Sequence, residues 1–114
     1  MKTLKFKLEL ADLILRGKKT ATWRLNDEKD LSKGDIVSAR VYGGDEFATL
    51  EITSVKVTKF SDLKESDWKG HEKFKSKKEM YVTYSKYYNM KVTPGTPLKI
   101  IKFKVLSKQG GKKN

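Results

Sequence analysis

Apolar residues alternate with lysines at the start of the chain. Leu4, Phe6 and Leu8 share one parity and Lys5 and Lys7 the other, the period-two pattern of a half-buried strand. The spacing then changes: from Ala11 to Arg16 it predicts a short helix with Leu10, Leu13 and Ile14 facing inward. Gly17 is placed to end that helix as its C-terminal cap. Thr20 to Arg24 returns to period two, with Thr20, Thr22 and Arg24 on one face and Ala21 and Trp23 on the other. A second strand is therefore expected, its Trp23 face in the core and its polar face a candidate site.

Asn26 to Asp30 reads as a polar loop or single helical turn, and Lys33-Gly34-Asp35 as a turn into a strand through Ile36, Val37, Ala39 and Val41. Gly43-Gly44-Asp45 signals a hairpin into a long strand from Phe47 to about Val57. Leu50 and Ile52 share a parity that Val55 and Val57 do not, which predicts a bulge near Thr53-Ser54. Ser61 to Asp67 is expected as a short helix capped by Ser61, followed by an irregular connection from Trp68 to Phe74. Ser76 and Glu79 form a capping-box pair opening a helix to about Tyr88, with Met80, Tyr81, Tyr84 and Tyr88 on one face. After a Pro94–Pro97 turn, Leu98 to Leu106 reads as the last strand, with Ile101, Phe103 and Val105 inward. The order predicts an α+β fold, or mostly β with helical insertions: five or six strands in a small curved sheet or barrel, with about three short helices at its rim. Residues 1–106 form the single expected domain, without internal repeats, and 107–114 a basic, disordered tail.

Composition narrows the chemistry. A chain of 114 residues has room for one modest core. It carries 26 Lys and Arg against 14 Asp and Glu, a net charge of +12. Such a surface concentrates polyanions, and it equally suits a lysine-coated soluble domain. The absence of cysteine excludes disulfides and thiolate nucleophiles, and one histidine cannot build a multi-histidine metal site. No apolar run approaches a membrane span and the start reads as a strand rather than a signal peptide, so a cytoplasmic protein without membrane contact is expected.

Gly17-Lys18-Lys19-Thr20-Ala21-Thr22-Trp23-Arg24 is the densest chemistry in the chain. A threonine hydroxyl becomes a nucleophile when a neighbouring base takes its proton. Lysine is such a base once desolvation or nearby cations lower its pKa. Lys18 and Arg24 supply cations near the Lys19–Thr22 pair, and Trp23 and Leu13 apolar surroundings. The same string also suits a solvated surface or a cationic ridge on a nucleic-acid backbone. Glu72 could orient the lysine, hold a substrate amine or protonate a leaving nitrogen, or else pair with Lys69 or Lys73 on the surface. His71 is either an acid–base group or a local hydrogen-bonding residue. The tyrosines at 81, 84, 87 and 88 suit base stacking or rim packing, and the lysines of 64–78 and 99–104 suit phosphates or solvent.

Together the Gly17-to-Arg24 run, the Lys33-Gly34-Asp35 turn, the Phe60-to-Glu72 connection and the closing Lys99-to-Val105 strand resemble the ASCH domain, a family of small PUA-like β-barrels. The resemblance spans about Leu4 to Leu106, and Gly17, Lys19 and Arg24 match the family's Gly-x-Lys-x-x-x-x-Arg pattern. Within that family the chain is similar to small amidohydrolases that deacylate N4-acetylcytidine. The resemblance implies Lys19, Thr22 and Glu72 as the catalytic set, with Thr22 the nucleophile and neither metal nor cofactor. Arg24, Lys18, Thr20 and His71 would surround the substrate, a modified nucleoside. Other ASCH proteins are similar to RNA-binding modules, so a non-catalytic RNA-binding role through the basic surface is the alternative implied. A monomer is expected in either case.

Overall fold

The alternating segments form five strands and the segments with helical spacing form three short helices in the computed structural model, which describes residues 2–27 and 29–108. The order is β1 (Lys2–Phe6), α1 (Leu8–Leu15), β2 (Ala21–Arg24), β3 (Ile36–Val41), β4 (Glu46–Lys59), a 3₁₀ turn (Phe60–Asp62), α2 (Glu65–Trp68), α3 (Lys77–Tyr88) and β5 (Pro97–Lys108). The sheet runs β1-β3-β4-β5-β2, with β1 and β3 parallel and every other pair antiparallel. It curls into a half-barrel in which Arg24 on one edge strand, β2, donates from Nη2 to the Lys5 carbonyl on the other, β1, at 2.7 Å. No helix among the described residues is long and apolar enough to cross a membrane.

Both faces of the sheet are covered. Neighbouring residues of β5 therefore point into different cores, as the pleat requires. Ile101 and Phe103 join Leu4, Phe6, Ile14, Val37, Leu50 and Ile52 on the α1 side. Leu98 and Ile100 join Trp23, Phe60, Met80 and Tyr84 on the α3 side. The parity change in β4 is accommodated as expected, by a register shift between Ile52 and Ser54 against β5.

Four local expectations change. Leu8 does not continue β1: it opens α1 and is 69% exposed, because the inward positions of the helix are Ala11 and Ile14. Ser61 caps nothing, since the segment splits into the 3₁₀ turn and α2. There the Asp67 carboxylate accepts from Lys64 N at 2.8 Å and so closes the start of α2. Ser76 does cap α3, accepting from Glu79 N at 3.1 Å, but the Glu79 carboxylate reaches back one residue further, to Lys75 N at 2.8 Å. Finally, β5 runs through Ser107 and Lys108, where Ser107 pairs with Thr49, so the strand enters the segment assigned to the tail. The remainder of that tail, 109–114, lies outside the described residues.

Candidate active site

Two backbone joints build the site. Gly17 takes a φ of +75° at the end of α1, and the N–H groups of Lys18 and Lys19 both donate to Leu13 O, at 2.9 and 3.2 Å. This tight turn leaves Lys18 exposed and carries the Lys19 side chain inward, where it is 1% exposed. At the second joint, Gly70 O accepts from Thr20 N at 2.8 Å and Ala21 N at 3.1 Å, fastening the loop that carries His71 and Glu72 to the start of β2. Gly70 has a φ of +83°, and a Cβ there would lie 2.0 Å from Thr20 Oγ1, so only glycine fits this approach.

The joints bring Lys19 Nζ to 2.5 Å from Glu72 Oε1. Burial pushes the Lys19 ammonium below its ordinary pKa, Glu72 pulls it back up, and Arg24 adds to the depression. Burial also opposes the Glu72 carboxylate, but Lys19 and then His71 outweigh it and hold the acid below its usual range. Lys19 and Glu72 are thus a close, mostly desolvated ion pair.

His71 fixes the backbone of that acid. Its Nδ1 lies 2.7 Å from Glu72 O and its Nε2 3.1 Å from the Tyr84 hydroxyl. A carbonyl only accepts, so Nδ1 carries the proton and Nε2 accepts from Tyr84. Burial, reinforced by the Lys19 charge, lowers the His71 pKa to about 4, so the ring is neutral at pH 7. It stacks on Trp23 with centroids 4.0 Å apart and planes at 18°. Burial pushes the Tyr84 phenol well above its ordinary value, keeping it a proton donor to the ring.

Thr22 is 5% exposed, and its Oγ1 accepts from Arg24 Nε at 3.2 Å. That leaves the hydroxyl proton free to be given away, with a cation beside the oxygen. The Arg24 guanidinium also sits 4.8 Å over the Phe6 ring, so three contacts fix its plane: Thr22, Lys5 O and Phe6.

Lys19, Thr22, Arg24, His71 and Glu72 all line one cavity of about 320 Å³. This falls in the range of about 300–1,000 Å³ usual for small-molecule sites. Lys18 and Thr20 do not line it: the first points outward and the second packs on Gly70. Tyr84, Tyr87 and Tyr88, whose spacing suits stacking or packing alike, all line the cavity. Tyr42, Lys5 and Lys7 line it as well; the alternation with Leu4, Phe6 and Leu8 marks Lys5 and Lys7 only as polar positions, and nothing local points Tyr42 to the site.

The fold of the chain is similar to that of EF3133 from Enterococcus faecalis V583, at 19% identity and a TM-score of 0.75 over 93% of this chain and 75% of that one. An ASCH domain from Lactobacillus crispatus JV V101 matches at 21% identity and a TM-score of 0.69, over 91% and 79% of the two chains. A serine-to-alanine mutant of ZmASCH from Zymomonas mobilis matches at 13% identity and 0.63, over 95% and 72%. No curated protein matches the sequence. Such distant structures show a shared fold, five strands curled into a half-barrel with helices at the rim. The family model of the ASCH domain matches residues 2–107, and the chain belongs to the ASCH domain family.

Proposed function

We propose that this protein is an amidohydrolase that removes the acyl group from N4-acetylcytidine or related N4-acylated cytosine nucleosides, with Thr22 as nucleophile. The observation that carries the reading is the partly buried Lys19–Glu72 contact of 2.5 Å in the same small cavity as a threonine hydroxyl whose oxygen already accepts from Arg24.

A buried ion pair loses its advantage when substrate displaces the remaining water, and passing the shared proton to the carboxylate leaves a neutral amine and a neutral acid. The pair then holds both groups that amide cleavage needs. The Lys19 amine takes the Thr22 proton as Oγ1 attacks the acyl carbon, and Arg24 stabilises the developing negative charge. The Glu72 acid gives its proton to the N4 nitrogen as the C–N bond breaks, which leaves Lys19 and Glu72 charged again. Water then attacks the Thr22 ester. Glu72 takes a proton from the water, Lys19 returns one to Thr22 Oγ1, and the carboxylic acid leaves. Tyr42, Tyr87 and Tyr88 line the cavity and offer aromatic surface against which the cytosine ring can pack.

The test is release of cytidine from N4-acetylcytidine by the purified protein, paired with Thr22→Ala. The reading expects turnover that the variant loses while remaining folded, and appreciable residual activity in the variant would remove Thr22 from its role. No release by the parent protein would favour a non-catalytic RNA-binding module, whose affinity falls steeply with salt.

A further inference from the structure

We infer that the acylated substrate of this cavity carries a phosphate: the natural substrate class is a nucleoside monophosphate rather than the bare nucleoside. The inference rests on the proposed deacylation. Its basis is the charge of the cavity wall. Glu72 is the only carboxylate among the described residues that line the cavity, and Lys19 already holds it at 2.5 Å. Arg24, Lys5 and Lys7 line the same cavity, and none of them has a carboxylate partner among the described residues.

The groups that Arg24 and Lys7 touch are uncharged. Arg24 donates to a hydroxyl and a carbonyl and lies over Phe6, and the Lys7 ammonium sits 4.3 Å above the centre of the Tyr87 ring. The Tyr87 contact keeps the Lys7 charge at the cavity rather than in bulk solvent. Arg24 sits at the acyl end beside Thr22, so a neutral nucleoside would leave the Lys7 ammonium, with Lys5 beside it in sequence, at the cavity without a counter-charge. A phosphate attached to the sugar supplies the charge while the cytosine end reaches Thr22. The cavity of about 320 Å³ suits one nucleotide better than a strand.

The experiment compares kcat/KM at low salt for N4-acetylcytidine, its 5′-monophosphate and a short oligonucleotide containing one internal N4-acetylcytidine. Each is tested with the parent protein and with the Lys5→Ala/Lys7→Ala double variant. The monophosphate should exceed the nucleoside about tenfold, the scale of one charge-assisted hydrogen bond. That ratio should shrink as salt is raised to about 0.5 M and approach one in the double variant. A nucleoside turned over as fast as the monophosphate, or a ratio that the double variant leaves intact, overturns the inference. An oligonucleotide turned over faster than the monophosphate also overturns it. Binding of cytidine 5′-monophosphate against cytidine, measured by calorimetry, separates the two readings. Preferential binding of the monophosphate with no hydrolysis of any substrate refutes the deacylation and keeps the anion preference; hydrolysis with equal binding does the reverse.

Discussion

Lys19 Nζ lies 2.5 Å from Glu72 Oε1, across 53 residues of sequence. The two partners are unequally buried: the lysine side chain is 1% exposed and the carboxylate 25%. Removing one is therefore not equivalent to removing the other. Glu72→Ala strands an ammonium in the interior, where loss of a buried partner costs about 3–5 kcal/mol, with the lower end expected because water reaches the acid. Lys19→Met replaces the ammonium by an apolar group of similar length and leaves a carboxylate that solvent can reach, so its melting temperature should stay close to that of the parent. Both should be inactive. Thermal melts beside the cytidine-release assay test this, and a Lys19→Met protein as destabilised as Glu72→Ala would mean that the pair is a structural clamp.

Arg24 holds Thr22 Oγ1, Lys5 O and the Phe6 ring at once. A lysine in its place keeps the charge but loses the planar fork that serves separate acceptors. Arg24→Lys should lower kcat by about 10²-fold, the scale of losing one aligned donor to a developing oxyanion. Thr22→Ser keeps the hydroxyl and should retain measurable turnover. Steady-state kinetics of both variants check the claim, and full activity in Arg24→Lys would limit Arg24 to its charge.

Periodicity made the β4 bulge legible, because Leu50 and Ile52 could not share a face with Val55 without an extra residue. The same rule misplaced Leu8, whose parity continues that of Leu4 and Phe6 by coincidence; the switch from period two to helical spacing occurs at that residue and either reading fits it. Lys19, Thr22 and Arg24 could be singled out because they are near in sequence. The link to Glu72 came through the family resemblance, since no local signal connects positions 53 apart. The Gly70–Thr20 approach had no sequence signature at all: a glycine in a loop reads as a turn, and its φ of +83° and its neighbour emerge only in three dimensions.

His71 should make the fold acid-sensitive. Its folded pKa is about 4 against an ordinary 6.5, so the unfolded chain binds more protons between those values and stability falls as pH is lowered through that window. A shift of that size corresponds to on the order of 3 kcal/mol by pH 4. Glu72, whose folded pKa is also lowered, adds a loss in the same direction below its unfolded value. His71→Asn supplies an N–H toward Glu72 O without a titrating ring, and its stability should vary less between pH 6.5 and 4. Urea midpoints across that range decide it, and parallel curves for the two proteins would place the acid sensitivity elsewhere.

Thr20 and Gly70 should be energetically coupled. Gly70→Ala meets two separate penalties: the left-handed backbone, about 1–2 kcal/mol for a residue with a Cβ, and a collision with Thr20 Oγ1 at 2.0 Å. Only the second depends on Thr20. Thr20 is exposed, so Thr20→Ala alone should change stability little, yet in the Gly70→Ala background it should recover the part due to the collision. Activity should follow, because Gly70 O holds Thr20 N and Ala21 N, and displacing this joint moves Glu72 relative to Lys19. The double variant should therefore regain both denaturation midpoint and kcat relative to Gly70→Ala. Strictly additive effects in the four-protein cycle would show that backbone strain alone requires the glycine.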